Sequence, residues 1–490
     1  MSKVDAIKFR MYNTGSVGDC HLLLFEKAGQ VTFKMMIDCG GLSTSKALIS
    51  PVVEDIKTTC GGVIDLLIVT HQHLDHVSGF NQAKTVFDQI TVKNVWMSWV
   101  ENQTDDIAKI LKTKYGKTLA RIKENADKAV KELDIDPKTL PSIRGLGARM
   151  NAKRMRMQDA QKLIQFEMGF EAGKQIRKGA RPTNDMAMEY VRAKGEIEYR
   201  TPGEVIKGIP GTEGIKFFIL GPPRDEDMKF FKIPTDDEEM YKNAMKASAG
   251  KSAKKRKESI LDTGVQLQEN VSPFSSQYYI SDNDKRKFNQ RYNSEEYVWR
   301  QIETDWLETA ASIAMRATRL TNNTSLAIAL EFEDSGRVVL LPGDAQSGNW
   351  MGWHKTDVSE SLRINGGKTT EQLLNNTVFY KVGHHGSHNG TASRSGFDHV
   401  NGPDVVAMMP LVQEEIPEVW GGADNFPAKG LYGILITKTR GRLIRTDEGV
   451  VRDPRAKTER AELTSKEKKE FTNSFVQGAN FVEYTIKGKQ

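Results

Sequence analysis

Short apolar runs broken by tight-turn residues recur through the first hundred residues, the pattern of strands. The runs are Ala6 to Met11, His21 to Phe25, Val31 to Ile37, Leu66 to Val69 and Val92 to Trp96, with Gly15, Gly18, Gly40 and Gly41 marking turns. From about residue 105 the pattern changes. Ile107, Ile110, Leu111, Tyr115, Leu119, Ile122, Ala126, Val130 and Leu133 fall three or four apart, which predicts one face of a long helix with Gly116 as its weak point. A second helical pattern spans 157–176, and 117–135 approaches a heptad, so a helical hairpin that packs on itself or on a protein partner is expected. Strand signals return at Ile215 to Leu220. After a polar stretch come a helix near 297–318 and strands at Ser325 to Glu331, Arg337 to Leu341, Val378 to Val382, Val405 to Met409 and Gly441 to Arg445. This pattern predicts a single α/β core from 1–100, 201–224 and 310–450. A helical basic insertion at 101–200, a polar and partly mobile insertion at 225–309, and a C-terminal extension at 451–490 complete the expected organisation.

Composition narrows the class without changing that picture. With 490 residues, 38% hydrophobic and 27% charged, the chain reads as globular rather than fibrous or disordered. No run approaches the roughly 18 apolar residues of a membrane span, and MSKVDAIKFRMYNTG lacks a signal-peptide core. The expectation is a cytoplasmic protein with no membrane contact. Cys20, Cys39 and Cys60 form no CxxC pair and read as reduced core thiols. Charge is uneven: residues 101–200 hold 22 Lys+Arg against 15 Asp+Glu, an excess of +7 where the whole chain carries +6. That segment, with KSAKKRK at 251–257, would suit the phosphate backbone of a nucleic acid, although charge runs are more often solvated helix surface.

The chemistry concentrates in three places. The stretch THQHLDHVSGF, residues 70–80, follows an apolar strand and packs His71, His73, Asp75 and His76 into six positions. In an extended chain His71 and His73 point the same way, toward one metal, while Asp75 and His76 at the turn into a helix face a second. Four such side chains after a buried strand are costly to bury without a cation. A second strand, Val338 to Leu341, delivers Asp344, whose two oxygens could bridge two ions. A third window, YKVGHHGSHNG at 380–390, supplies His384, His385, Ser387 and His388. The two histidine windows together hold six of the nine histidines.

The order of these parts resembles the metallo-β-lactamase superfamily, and within it the hydrolase domain of DNA-uptake competence proteins. Gly15-Ser-Val-Gly-Asp-Cys-His-Leu-Leu-Leu24, Ile37-Asp-Cys-Gly-Gly41, Leu220-Gly-Pro-Pro223, Asn322-Asn-Thr-Ser325, Leu341-Pro-Gly-Asp344, Lys381-Val-Gly-His-His-Gly-Ser387 and Arg445-Thr-Asp-Glu-Gly449 look like its landmarks, in its order. The resemblance leaves 100–200 and 225–310 uncovered. It implies an αββα four-layer sandwich with two divalent ions, Zn2+ or Mn2+, at one edge of its sheets. Many members bring a further histidine to the first metal, yet no histidine occurs here from 77 to 353. Asn322 and Asn323 occupy the matching loop, as asparagine does in the competence-type proteins. Neutral amide oxygens are weaker ligands, which predicts a labile first site or a preference for manganese.

The expected assignment is His71 and His73 on the first metal, Asp75 and His76 on the second, and Asp344 between them. His385 is favoured as the second metal's remaining ligand and His384 as its neighbour, with the reverse open. Ser387 and the Gly386 amide would bind substrate oxygen, and His388 would protonate the leaving group. Asp19 and Asp38 are expected to fix loops and orient imidazoles. Two ions about 3.5 to 4 Å apart lower the pKa of a water between them, so the leading expectation is a dinuclear phosphodiesterase or nuclease acting on DNA ahead of RNA, in defence or nucleic-acid turnover. Hydrolysis of a small lactam, lactone, thioester or phosphoester, and a partner-binding protein with a structural or regulatory metal, are the other two readings.

Overall fold

Two sheets of opposite chain order carry the molecule, and each is antiparallel on one side and parallel on the other. The computed structural model that shows them describes residues 3–113, 183–224, 320–417 and 422–489. All of these belong to one compact unit, formed by Met1–Leu119, Ile164–Gly250 and Ala317–Gln490. The expected helices over 117–135, 157–176 and 297–318 and the polar segment 225–309 lie outside the described residues; only 106–113 of the first long helix is seen.

The first sheet is built from β1 (Ala6–Tyr12), β2 (Cys20–Lys27), β3 (Gln30–Cys39), β4 (Val63–Val69), β5 (Thr91–Ser98) and β6 (Glu196–Arg200), joined at its other edge by β15 (Phe475–Gln477) and β16 (Phe481–Lys487). Its order is β15-β16-β1-β2-β3-β4-β5-β6. β1 to β3 run antiparallel, and β3 to β6 run parallel. Parallel neighbours need crossover connections: α1 (Lys46–Cys60) links β3 to β4, α2 (Leu74–Gln82) and α3 (Lys84–Phe87) link β4 to β5, and α4 (Thr183–Arg192) precedes β6. The second sheet repeats the scheme with β7 (Val205–Ile206), β8 (Ile215–Gly221), β9 (Ala327–Phe332), β10 (Val338–Leu341), β11 (Thr377–Lys381), β12 (Val406–Met409), β13 (Leu443–Arg445) and β14 (Gly449–Val450). It is antiparallel from β7 to β10 and parallel from β10 to β13. Its helices are α5 (Ser347–Trp353), α6 (Thr356–Gly366), α7 (Thr370–Asn375) and α8 (Lys429–Lys438). Two further helices, α9 (Pro454–Ala461) and α10 (Ser465–Ser474), lead to β15.

Alternation along the strands explains the layering. In β8, Phe217 and Ile219 join a cluster with Phe9, Phe25, Met35 and Ile68 of the first sheet, so these faces meet between the sheets. Phe218 and Leu220 turn the other way and pack with Trp350, Trp353, Leu362 and Leu435 of the helices outside the second sheet. On the first sheet, Leu22, Met36, Leu67 and Val69 face Val52, Ile56, Phe80 and Met188 of α1, α2 and α4. Both faces of both sheets are therefore covered, as parallel strands require. The Trp350 and Trp353 rings, 4.0 Å apart and fully buried, anchor α5; truncating either to alanine is expected to cost about 3–5 kcal/mol.

Three boundaries differ from the sequence expectation. β6 lies in the segment read as a helical insertion, and β15 and β16 lie in the segment read as a C-terminal extension. Both belong to the first sheet because their partners are distant: Asn94 faces Glu196, and Ala6 faces Lys487. β13 begins at Leu443 rather than Gly441 because Arg440 and Gly441 sit at φ 51° and 73°, which closes α8 first. No helix among the described residues is long and apolar enough to cross a membrane.

Candidate metal centre

The carboxyl ends of β3, β4, β10 and β11 meet at one rim, where open α/β sheets place their ligands. β4 finishes in buried Leu66 to Val69, and the chain stays extended to His73, whose φ of −67° and ψ of 152° precede α2. His71 and His73 therefore turn together, with His71 Nε2 2.9 Å from His73 Nδ1. The first turn of α2 then presents Asp75 and His76, both buried. This turn rests on bare backbone: a Cβ at Gly40 would stand 2.5 Å from the Asp75 carbonyl carbon and the His76 nitrogen. Any other residue at 40 would lift α2 and its ligands away.

The second sheet answers from two loops. β10 is followed by Gly343 at φ 61° and Asp344, and β11 by His384 and His385 at φ 48° and 52°. Left-handed backbone at two adjacent histidines is strained, the kind of conformation held where a side chain must be aimed. His76 Nε2 lies 3.1 Å from Asp344 Oδ2 across 268 residues of chain. His385 Nε2 lies 2.9 Å from Asp75 Oδ2 across 310 residues. It is also 3.7 Å from Asp344 Oδ2. Asp19, His76, Asp344 and His385 each offer a ligand atom, all within 4.8 Å of one another, so this buried group could hold a metal ion.

The outer hydrogen bonds show which imidazole edges are free. His76 Nδ1 donates to Asp38 Oδ2 at 2.8 Å, and His385 Nδ1 to the Pro410 carbonyl at 2.8 Å. Asp38 is itself fixed by the Thr70 amide and hydroxyl at 2.8 and 2.6 Å. A metal-ligating histidine commits its other nitrogen in this way, which leaves both Nε2 atoms facing Asp75 and Asp344. Asp19 approaches the committed Nδ1 edges instead, at 3.8 and 3.6 Å, and pairs with Lys381. Asp75 thus meets the Nε2 edge of His385, while Asp19 reaches the two imidazoles from the other side.

Charge makes the same demand. Asp19, Asp38, Asp75 and Asp344 are all buried, and the one ammonium that the described residues bring among them is Lys381, 3.4 Å from Asp344 Oδ1. Burial alone would raise Asp344, yet His76, Lys381 and His385 hold it well below the usual carboxylate value. Burial would lower His76, but Asp344, Asp75, Asp19 and Asp38 carry it well above the ordinary imidazole value. The carboxylates thus recruit positive charge from whatever is present. His71, pushed well below its ordinary value by burial and by His76 and His73, is neutral, as a ligand must be. Asp75 Oδ1 and Asn322 Oδ1 are buried and accept no hydrogen bond from the described residues. Such orphans cost about 1–3 kcal/mol each. The donor set fits a divalent cation.

The remaining candidates divide. Asn322 lies at the centre, its Nδ2 3.3 Å from His384 Nε2. Asn323 does not present its oxygen to the site: Oδ1 accepts the Asn349 amide at 3.0 Å, a loop-to-helix tie. His384 is half-buried, with Nδ1 on Asn389 Oδ1 at 2.8 Å. Ser387 donates to the same Asn389 oxygen at 2.8 Å, so its hydroxyl is engaged within the protein. His388 is half-buried beside them. Sequence reasoning assigned no role to Lys381, Asn389 or Thr70; a lysine at the end of the fully buried strand TVFYK was the signal for the first. No family model and no curated protein matches this chain.

Proposed function

We propose that the chain is a dinuclear metal-dependent hydrolase of the metallo-β-lactamase type, cleaving phosphodiesters, with DNA favoured over RNA. The observation that carries this reading is the meeting of the early cluster with the late one: His76 on Asp344 and His385 on Asp75. The two mixed sheets with helices on their outer faces, and the ligands at the carboxyl rim, support the family resemblance. Asp75, His76, Asp344 and His385 would hold one cation; His71, His73 and Asn322 would hold the other, with Asp344 shared. Zn2+ or Mn2+ bound there supplies Lewis acidity toward a phosphoryl oxygen and lowers the pKa of a water.

The protein's own groups do the rest. Asp38 and the Pro410 carbonyl lock the tautomers of His76 and His385, and Lys381 holds Asp344 by the oxygen that His76 does not use. His384, kept largely neutral by burial and tethered by Asn389, stands at the half-open side of the site. It or His388 would carry the proton to the departing oxygen. The basic 101–200 and 251–257 segments would grip the phosphate backbone. The test is elemental analysis of the purified protein, with manganese- and zinc-supplemented digests of plasmid, single-stranded DNA and RNA. Bound metal with cleavage that Asp344→Ala abolishes supports the reading. A chain that binds no divalent metal, or one whose cleavage survives Asp344→Ala, overturns it.

A further inference from the structure

A second cavity, of about 230 Å³, opens at the opposite end of the strands that carry the metal centre. Its wall takes Arg337, Val378, Asp404 and Arg442 from the amino ends of β10 to β13, and Phe471, Tyr484 and Ile486 from α10 and β16. The chemistry is unlike the rim. Arg442 is 3% exposed, and its guanidinium donates only to backbone, Nε to Thr439 O at 2.9 Å and Nη2 to Pro403 O. No carboxylate of the described residues lies within ion-pair distance of it. Of the acidic groups on its wall, Asp404 is taken by Arg337 at 2.5 Å and Glu470 by Lys466 at 3.8 Å. Glu467 caps α10 and pairs with Arg440 at 2.6 Å. A buried guanidinium without a counter-charge is expensive unless an anion completes it. Burial does lower Arg442 below its ordinary value in spite of Asp404.

The rest of the cavity describes what accompanies that anion. Phe471 and Tyr484 stand 5.8 Å apart at 38°, and Val378 and Ile486 add aliphatic surface. Lys487 and Lys489 are exposed where they line the cavity, Lys489 3.7 Å from Asp334, which leaves Lys487 to raise its positive charge. The volume falls just below the roughly 300–1,000 Å³ of pockets for drug-sized ligands, which suits one ring and one anionic group. We propose that this cavity is a binding site for a small aromatic oxyanion, a phosphate or carboxylate on a single ring, with Arg442 taking the anion and Phe471 and Tyr484 the ring. The proposal does not depend on what the metal centre does.

Calorimetric titration of the full chain tests it with phenylphosphonate and benzoate, and with inorganic phosphate and benzyl alcohol as half-ligands. At least one aromatic oxyanion should bind at one site, more tightly than either half-ligand; which one binds tells phosphate from carboxylate. Losing the charge-assisted hydrogen bond in Arg442→Leu should weaken binding about tenfold or more. Lys487→Glu, at an exposed position that leaves packing intact, should weaken it several-fold even if the first variant folds poorly. Asp344→Asn should leave binding unchanged. Absence of binding by both aromatic oxyanions at millimolar concentration overturns the proposal, as does an affinity that Lys487→Glu leaves unaltered or that Asp344→Asn removes.

Discussion

The two candidate cation positions at the rim differ in how firmly the protein defines them. Around Asp75, His76, Asp344 and His385 there are two carboxylates, two imidazoles with fixed outer partners, and ligand contributions from both sheets. Around His71 and His73 the described residues show two imidazoles with nitrogens 2.9 Å apart, and the proposed second position would add only the neutral amide of Asn322 and a share of Asp344. His71 Nδ1 meets only hydroxyls, those of Thr70 at 3.1 Å and Ser325 at 3.3 Å. Hydroxyls raise ligand basicity less than a carboxylate does. The charged position should therefore fill first and release last.

The contrast can be broken by experiment. Asp344→Asn removes the shared carboxylate, so both positions should empty and cleavage should fall by about a thousandfold, in the range seen when a principal electrostatic group is lost. Asp38→Asn acts directly on the firm position, through His76, and reaches His71 only at second hand, through the Thr70 hydroxyl. Metal affinity there should drop about 10–100-fold, read by competition with a chromogenic chelator, while the His71 and His73 position should lose much less. Equal loss at both would show that the two are one unit. Asn322→His restores an imidazole to the weak position. It should raise metal content toward two ions per chain and slow chelator release about tenfold; elemental analysis after dialysis reads this directly. Ser387→Ala should have the smallest effect, about two- to tenfold in kcat, because it removes one neutral hydrogen bond to Asn389 and no ligand.

How much of this was visible in the residues follows from the range of each interaction. The HQHLDH cluster was legible because its ligands lie close together in sequence and follow an unmistakable apolar run. β2, β3, β4, β8, β10 and β11 were legible for the same reason. β16 was not: FVEYTIK reads as a strand only once β1 is known to lie beside it. Asn323 was drawn into the site by its neighbour, but a one-residue step turned its side chain to Asn349. Lys381 shows no role in the sequence, since a lysine's counter-ions at Asp19 and Asp344 appear only when three loops meet. The choice between His384 and His385 depended on backbone angles that composition does not encode.

The pairing of β1 with β16 has a bearing on biosynthesis. As the polypeptide leaves the ribosome, β1 has one flank satisfied early by β2, while its other flank stays open until residues 481–487 have been translated. An open hydrogen-bonding edge of that kind invites adhesion to other copies. Trimming residues 475–489 should then convert a well-behaved protein into one that aggregates during expression, with the cation ligands all still present in the polypeptide.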